Sequence, residues 1–588
     1  MKKMRTRIAS VLVICAMLLT MLPVSALAEE SEEGQITPPT ELTGVEPDSG
    51  NGPAARSTPI TSEENLIQAI SQAQPGDVIT LGGDIELTQC LTIDNAITLD
   101  GNGYTFTGTV PSGESFLSVT ADGAFSLRNC GFEPSGKVTP NGFITIAATG
   151  PVSITGCTFG SEDAPQTGYI YNALEFSQSA SYPVAGGTTI SGNTFYGTAL
   201  RHNGINLYRF EEGATVTISN NEFVDLNWDT SNAIRLSNYS GAEVTVNMDG
   251  NTYSEHGTDT PDNKGWAGFF LFQNAGNGSG GDMTIHVTDL TYQGTANQLY
   301  VLYEDITSET TPLVTGDSSV SSLYAVNYDA GTTAPCFTAE WNGTYYPTLA
   351  AAVEAVATSS GKTGTVKLLD DASGSGIGLF NTKGHTGVDL TIDFGGNTYT
   401  CTDPAVGSTG TESQGFHLEK DNTVTLRNGT IQVSESSTDT QMLIQNYCDL
   451  TLEDLTLVGA DITSYIISSN YGDMTLNRVS ASGTKSGVVA IDLMHWLGTS
   501  YEGKAPTLTI RNGEENLIAG GIAVYCWDDA TNNYADDCAA KPTLTIYGGT
   551  FTKDVTAYCG TGYTCNGGED GRYTVVSGGM AAQGGGPE

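Results

Sequence analysis

Three copies of one short phrase lie between Thr188 and Tyr253. They read TTISGNTF, VTISNNEF and VTVNMDGNTY, and begin at residues 188, 216 and 244. Aligned on the closing aromatic residue, each copy has an Asn two positions earlier, at Asn193, Asn221 and Asn251. A Gly or Asn precedes that Asn, and apolar residues alternate before it. The phrase therefore combines a half-buried strand, a residue type that tolerates a left-handed backbone, and an amide at the bend.

The same phrase recurs on both sides of this stretch. Further copies read ITLDGNGY, FSLRNCGF, VSITGCTF and IHVTDLTY, and the closing aromatics from Tyr104 to Tyr292 are 28, 27, 36, 28, 30 and 39 residues apart. Periods of this size indicate a solenoid, whereas sandwiches and barrels show turn signals every 8 to 12 residues or so. Stacking of like residues about 4.8 Å apart on parallel strands predicts an all-β chain folded as a parallel β-helix.

A short amphipathic helix is expected before the first repeats. Thr61 and Glu64 have the spacing of a capping box, and Leu66, Ile67 and Ile70 fall on one side of a helix. Because the open end of a solenoid needs a cover, we expect this helix to close it.

The pattern starts again near residue 330. Asn342-Gly343 predicts a hairpin turn, and a second helical stripe follows at Leu349, Ala352, Val353 and Val356. The phrases LTIDFGGNTY and VTLRNGTI then match ITLDGNGY and FSLRNCGF of the first half. We therefore predict two tandem β-helix domains, at 59–330 and 331–580, each with an N-terminal capping helix.

The chain begins with the features of a secretory signal. Residues 1–28 have a basic start, a short apolar centre and an Ala-Leu-Ala end, and the short apolar run and Pro23 disfavour a membrane anchor. Residues 29–58 are acidic and Pro-rich and are expected to form a disordered linker, and residues 581–588 a flexible tail. The sequence predicts a secreted protein, free or held at the cell surface, with no integral membrane segment after signal removal.

The composition is strongly acidic. The formal charge is −43, and because the predicted signal carries four basic residues and no acid, its removal leaves −47. A nucleic-acid partner is not expected, since phosphate binding depends on Lys and Arg. Calcium is a conceivable ligand, but solubility is the commoner reason for such charge. A monomer is expected.

Ten cysteines remain after the signal, in an export context that permits disulfides. Cys130 and Cys157 occupy the Asn column, which predicts that they are neighbours in the turn. The C-terminal cysteines allow two pairing schemes, 526–559 with 538–565 or 526–538 with 559–565, between which the sequence does not choose. These candidates are Cys526, Cys538, Cys559 and Cys565.

Three strands per coil, a left-handed residue and an Asn ladder resemble the right-handed pectate-lyase-like β-helix superfamily. The helix phrases also resemble those of large secreted surface proteins of Gram-positive bacteria. The resemblance implies a substrate along the outward face of the strand that follows the aromatic one. Fold alone does not assign an activity.

The corresponding strands here are NALEFSQS, NGINLYRF, NAIRLSNY, AGFFLFQN and QLYVLYED, which begin at residues 172, 203, 232, 267 and 298. Alternation directs one set of side chains outward. These side chains form an aromatic face that is expected to bind sugar, unless insertions or the second domain cover it. With residues from one turn, the predicted ligand-binding residues are Glu175, Asn206, Tyr208, Trp228, Arg235, Tyr239, Phe272 and Tyr303.

Catalysis is the alternative. Hydrolysis of a glycoside uses two carboxylates roughly 5 to 9.5 Å apart, whereas the outward strand positions offer Glu175 alone until Asp305. A lyase or hydrolase built from Glu175, Asp229 and Arg235 therefore stays open. We expect a protein that binds a polysaccharide or a glycoprotein glycan on host or cell-wall surfaces without catalysis, with polysaccharide cleavage as the second hypothesis and a structural stalk as the third.

The second domain offers another acidic group. Alignment of AIDLMHW with AVYCWDD brings His495 level with Asp528, near Asp492. A calcium site or a catalytic group is conceivable there, although a solvated acidic turn is the commoner meaning of such a run. The possible metal ligands are Asp528, Asp529, Asp536 and Asp537.

Overall fold

The computed structural model of the chain describes residues 59–133, 142–162, 170–197, 200–224, 232–254, 268–273, 283–293, 299–304, 312–327, 332–511, 515–535 and 538–578. The predicted signal, linker and tail lie outside these residues. Within this described part, no helix has the length and apolar character needed to cross a membrane.

The described strands form four sheets, which we call A, B, C and D. Sheet A runs through both halves of the described chain, and most neighbouring strands in it are parallel. The 24 described strands of sheet A are Val78–Thr80, Thr98–Asp100, Phe125–Arg128, Val152–Thr155, Thr189–Ser191, Ala214–Ser219, Val244–Asp249, Met283–Thr288, Leu313–Gly316, Ala339–Trp341, Thr344–Tyr346, Thr363–Leu368, Ala372–Gly374, Asp389–Asp393, Thr398–Cys401, Thr423–Val433, Asp449–Gly459, Asp473–Gly483, Thr507–Ile510, Leu517–Ile518, Thr543–Ile546, Gly549–Phe551, Tyr563–Gly567 and Tyr573–Ser577.

Sheets B and C belong to the first half, and sheet D to the second. Sheet B consists of Ile85–Leu87, Thr105–Gly108, Gly131–Phe132, Thr158–Phe159, Thr194–Tyr196, Glu222–Val224, Thr252–Ser254 and Thr291–Gln293. Sheet C consists of Leu91–Ile93, Leu117–Val119, Gly142–Ile146, Ile170–Phe176, Leu200–Leu207, Asn232–Ser237, Gly268–Gln273, Leu299–Glu304, Leu323–Asn327 and Thr332–Pro335. Sheet D consists of Ile377–Leu379, Gln414–Leu418, Met442–Asn446, Tyr465–Ser469, Val489–Leu497, Gly521–Asp528 and Asn533–Tyr534.

The register stacks the repeats as the sequence predicts. On sheet A, Ile154 pairs with Ile190, Ile190 with Ile218, and Ile218 with Met248, each one coil further along the chain. All four side chains are buried between the sheets. The parallel β-helix is therefore confirmed by strand pairing.

The bend after each of these strands has the expected backbone. Gly192, Asn220 and Gly250 have φ of 65°, 53° and 63°, which is the left-handed region. The Asn that follows is buried, and its amide bonds to the next coil. Asn193 Nδ2 donates to Asn221 Oδ1 at 2.9 Å, and Asn221 Nδ2 donates to Asn251 Oδ1 at 3.1 Å. The ladder satisfies polar groups that the bend removes from water.

The aromatic column stacks inside the first half. The ring centroids of Phe159 and Phe195, and those of Phe195 and Phe223, are 5.0 Å apart with nearly parallel planes. At the start of the column, Phe106 rather than Tyr104 pairs with Phe132. The expected alignment on Tyr104 is wrong by two residues, because the turn at Asn102 and Gly103 is longer and shifts the strand start.

Both predicted helices are present. The first is Glu63–Gln72, and its N-cap is Ser62, which accepts a hydrogen bond from Asn65 N, rather than the predicted Thr61. Leu66 and Ile70 are buried in it, whereas Ile67 is exposed.

The second helix is Leu349–Thr358, capped by Thr348, and its predicted apolar side is buried. The hairpin at Asn342-Gly343 is confirmed, since Ala339–Trp341 pairs antiparallel with Thr344–Tyr346.

The same polar clasp occurs near the start of each half. Asp100 accepts hydrogen bonds from Arg128 Nε at 2.9 Å and Asn129 Nδ2 at 3.2 Å. Asp393 accepts them from Arg427 Nε at 3.0 Å and Asn428 Nδ2 at 3.1 Å. The buried apolar residues also fall into two clusters, and the division between them in the sequence lies between Phe337 and Ala339. The division into two domains stays a prediction.

Candidate functional site

The candidate site lies on the outward side of sheet C. Its three central strands are Ile170–Phe176, Leu200–Leu207 and Asn232–Ser237, and they are parallel. Leu174, Ile205 and Ile234 are level with one another and fully buried. Since side chains alternate along a strand, the next residues point to the other side. These are Glu175, Asn206 and Arg235, which are also level, and we call them the glycan row after the ligand that the sequence predicts for this face.

Glu175 is half-buried at one end of the glycan row. Asn172 Nδ2 donates a hydrogen bond of 2.5 Å to its Oε2. Burial raises the pKa of this carboxyl above its usual value, and the Asn172 hydrogen bond and the charge of Arg235 only partly oppose this effect. Glu175 therefore keeps its proton to a higher pH than an exposed glutamic acid, as a general acid requires.

Asn206 and two tyrosines form the middle of the site. Asn206 Nδ2 donates to the Tyr208 hydroxyl at 2.8 Å, and the rings of Tyr208 and Tyr239 stack with centroids 5.8 Å apart. The Arg235 guanidinium lies over the Tyr208 ring at 5.6 Å from its centroid. An amide, a phenol and a guanidinium thus meet on neighbouring coils.

Arg209 holds the outer edge of the tyrosine pair. It lies 6.0 Å from the centroid of the Tyr239 ring. Its Nε donates to Gln178 O at 2.6 Å and its Nη1 to Tyr239 O at 3.1 Å. Arg209 therefore fixes Tyr239 by bonding to the main chain of the coils on either side.

Several buried polar oxygens at the site have no hydrogen-bond partner among the described residues. They are Asn203 Oδ1, Asn206 Oδ1 and Ser237 Oγ. Leaving such an atom unpaired costs roughly 1 to 3 kcal/mol. A ligand that carries hydroxyl groups would supply the missing donors.

The structure corrects the predicted openness of this face. Asn206 is 1% exposed and Tyr208 6% exposed, whereas the sequence predicts an open surface. The glycan row is therefore a covered polar site and not a flat aromatic patch.

The predicted register is wrong at the next coil. Leu271, and not Phe270, is level with Arg235, while Phe272 is level with the buried Leu236. Tyr303 is level with Phe272. Because side chains alternate along a strand, a register shift of one residue changes the face of the sheet to which every side chain of that strand is assigned.

Five other residues named in the sequence analysis cannot be placed in the structure. Trp228, Asp229 and Asp305 lie outside the described residues, as do Asp536 and Asp537. Their part in any site stays a prediction.

Sequence reasoning missed Asn172, Asn203 and Arg209. Asn203 Nδ2 donates to Asn172 Oδ1 at 2.8 Å, which forms a second, shorter ladder. A signal for it exists in the sequence, because NALEF, NGINL and NAIRL all begin with Asn, and these three positions are level.

The acidic group of the second half is not assembled as predicted. His495 is level with Cys526 and not with Asp528, so the predicted alignment is wrong by two residues, and the register shift between Val489 and Ile491 accounts for one of them. Asp528 caps its own turn by accepting from Ala530 N at 3.0 Å, and Asp529 accepts from Trp496 Nε1 at 3.3 Å. Within the described residues, the one group with metal-ligand spacing is His495 with Cys526 and Cys538.

Those two cysteines form a disulfide, Cys526–Cys538. The pairing 526–559 with 538–565 is therefore wrong. The second bond of the other scheme is not formed either, since Cys559 and Cys565 are free thiols. Cys130 and Cys157 are neighbours, as the Asn column predicts, and both are buried thiols.

Comparison with known proteins does not identify a family for this chain. No family model matches the chain, and no curated protein sequence matches it. The solved structures that match include two of one alginate lyase. A point mutant of the PL6 family alginate lyase AlyGC is 10% identical, with 84% of this chain and 88% of that chain covered and a TM-score of 0.19. AlyGC itself is 9% identical, with 80% and 87% covered and a TM-score of 0.17. At such values no residue role is transferred from that enzyme to this chain.

Proposed function

We propose that this exported protein binds a uronate-containing polysaccharide across the glycan row and cleaves it by β-elimination. The observation that supports this most directly is the level arrangement of Glu175, Asn206 and Arg235 on three successive coils. It offers an acid, an amide donor and a fixed positive charge side by side.

Charge supports an anionic substrate at this position. The chain has 23 Lys and Arg residues against 66 Asp and Glu, so basic residues are scarce. Arg235 nevertheless lies on sheet C, and Arg209 follows the neighbouring strand Leu200–Leu207. Glu175, with its raised pKa, repels an anion less than an ordinary glutamate does. A guanidinium pairs well with a carboxylate in such a covered site.

The reaction follows from these groups. Arg235 and Asn206 would bind the uronate carboxylate and stabilise the charge that builds up when the proton on the neighbouring carbon is removed. That proton passes to the Tyr208 oxygen, which enters the step as a phenolate and leaves it as the phenol. The glycosidic carbon–oxygen bond then breaks as a carbon–carbon double bond forms, and Glu175 protonates the departing sugar oxygen.

Binding without cleavage is the second candidate. The stacked pair of Tyr208 and Tyr239 favours it, since a rigid aromatic pair beside hydrogen-bonding groups suits a sugar ring. Hydrolysis is less well supported, because Glu175 is the sole carboxylate of the glycan row among the described residues.

The test is incubation of the full chain with polyuronates and with neutral polysaccharides, followed by ultraviolet absorbance of the new double bond. We expect products from a polyuronate, and a loss of at least a hundredfold in rate for Glu175→Gln and for Arg235→Ala. Arg128→Ala is the control, because Arg128 lies on sheet A and its removal takes away an arginine without touching the glycan row. Binding with no product from any polymer would leave the second candidate in place, and absence of binding would contradict both.

A further inference from the structure

Two cysteines occupy the column of bends that asparagine fills on the next three coils. Gly131 is level with Thr158, and Thr158 N donates to Cys130 O at 2.9 Å. Cys130 and Cys157, the residues before this level pair, are therefore neighbours on successive coils. Both are 1% exposed. We call these two residues the cysteine pair.

The amide ladder ends at the cysteine pair. Cys157 N donates to Asn193 Oδ1 at 2.9 Å, and Asn193 Nδ2 donates to Ile154 O at 3.0 Å. A thiol is only a weak donor and a weak acceptor, so Cys157 cannot extend such a rung to Cys130. A hydrogen bond between the two thiols takes its place. The two sulfur atoms are therefore in contact inside the bend.

The spacing of the cysteine pair suits a covalent bond. Level residues on neighbouring parallel strands have Cα atoms roughly 4.8 Å apart, and disulfides occur at Cα separations of about 4.4 to 6.8 Å. Level residues also direct their side chains to the same side of a sheet. The two sulfur atoms can therefore be joined without moving one coil away from the other.

A buried cysteine elsewhere in the molecule gives the comparison. Cys401 is 0% exposed on sheet A, and it is level with Gly374 on one neighbouring strand and with Val433 on the other. It fills space among apolar side chains, with no second thiol level with it on either strand. Burial alone therefore does not explain why two cysteines are level on successive coils.

We propose that the cysteine pair forms a disulfide when the chain is exported, and that this bond replaces the missing rung of the ladder. Both thiols lose their protons, and a bond forms between the two sulfur atoms. The oxidant is a disulfide, of a small thiol compound or of an oxidoreductase, which takes up two electrons and two protons and becomes two thiols. The bond rests on the predicted export of the chain and not on the activity proposed for sheet C.

The bond has to form before the two coils close. The hydrogen bond to Cys157 and burial raise the pKa of the Cys130 thiol well above its usual value. Thiol–disulfide exchange needs a thiolate that the oxidant can reach, and the folded chain offers neither the charge nor the access. We therefore expect the disulfide to form during folding, and to resist reductants while the chain stays folded.

The bond would join two particular coils. The coil of Cys130 continues into the strand Gly142–Ile146, and the coil of Cys157 continues into Ile170–Phe176, which pairs with it. Glu175 lies on the second of these strands. The disulfide would therefore fix the coil that carries Glu175 to the coil before it.

The first test maps the disulfides by mass spectrometry. The protein is exported from a bacterial cell, and its thiols are alkylated in denaturant before digestion. The same protein made in a reducing cytoplasm is the reference for free thiols. From the exported protein we expect one cross-linked peptide that joins Cys130 to Cys157, with Cys401 alkylated. Alkylation of both members of the cysteine pair, or a bond from either of them to another cysteine, would overturn the proposal.

The second test compares two disulfides in the folded protein. A thiol reductant without denaturant should open Cys526–Cys538, whose Cys538 is partly exposed, at least tenfold faster than the bond of the cysteine pair. In denaturant both should open readily. Equal opening rates in the folded protein would contradict a bond at this buried position.

The third test measures stability with and without reductant, in a background protein that carries Cys526→Ser and Cys538→Ser. Reductant should lower the denaturation midpoint of this background, because it removes a cross-link from the unfolded chain. Cys401→Ala, the matched control, should keep that shift, and Cys130→Ser with Cys157→Ser should abolish it. A background midpoint that ignores reductant, or a shift that persists without the cysteine pair, would count against the bond.

Discussion

The side-chain amide of Asn193 donates to that of Asn221 one coil away, at 2.9 Å, and both residues are 1% exposed. Asn221 also donates to Ile190 O at 2.9 Å. Each rung of this ladder therefore satisfies both a side chain and a main-chain carbonyl that water does not reach.

Replacing Asn221 with Ala should destabilise the protein by about 2 to 3 kcal/mol, because it leaves Ile190 O and the Asn193 amide unpaired inside the bend. Chemical denaturation of the variant and the parent measures the difference. Thr217→Ala, on the outward side of the preceding strand, is the matched control and should cost much less. An Asn221→Ala protein as stable as the control would show that the ladder contributes no stability.

The Cys526–Cys538 disulfide joins the last long strand of sheet D to the segment after its hairpin, and spans a sequence separation of 12. Its removal by Cys526→Ser with Cys538→Ser should cost about 3 kcal/mol through the freedom gained by the unfolded loop. The double variant Cys559→Ser with Cys565→Ser removes two free thiols and is the comparison. Equal unfolding free energies for the two double variants would contradict this prediction.

Asp492 should make the protein less stable as the pH rises. Burial raises the pKa of this carboxyl above its usual value, against the hydrogen bonds to Ser468 and Tyr525. A raised carboxyl pKa contributes stability that is present below the unfolded value and is lost as the pH passes the folded value. The stability of Asp492→Asn relative to the parent should therefore rise between acid and neutral pH. Melting temperatures across that range measure it, and a difference that does not vary with pH would refute the assignment.

Asp393 should have the opposite dependence. Burial works against its ionisation, but hydrogen bonds from Gly395 N, Asn428 and Arg427 outweigh it and hold the pKa below its usual value. This stability is present above the unfolded pKa and is lost as the pH falls through the folded one. Asp393→Asn should be less stable than the parent at neutral pH, and the gap should close in acid. Asp94→Asn, at an exposed residue, serves as the control in the same melts.

The coil architecture was predictable because few residue types suit the bend. Only Gly, Asn or Asp enters a left-handed backbone easily, so Gly192, Asn220 and Gly250 mark the same position in three coils. The predicted strand register was wrong where apolar and polar residues do not alternate. In GFFLFQ, residues 269 to 272 are all apolar, so alternation cannot say which of them face inward.

Two level rows of polar residues, one on sheet C and one on sheet D, differ in how far the sequence reveals them. Glu175, Asn206 and Arg235 are found by aligning strands of equal length that begin with the same Asn. His417, Gln445, Ser468 and Asp492 are level on four strands of sheet D but have no such signal, because they are four different residue types and a repeat search sees no common column. The burial of His417, Ser468 and Asp492 also contradicts the rule that polar residues of a strand face water.

The clasp of Asp100 with Arg128 and Asn129, and its counterpart at Asp393, link one turn of the chain to the next and to nothing further away. Gain or loss of a complete turn would leave every other link intact and would lengthen or shorten the molecule by a fixed increment of roughly 4.8 Å. Duplication or deletion of one coil in the gene would thus change the length of polymer that the protein can bind in discrete steps, while the remaining coils keep their binding residues.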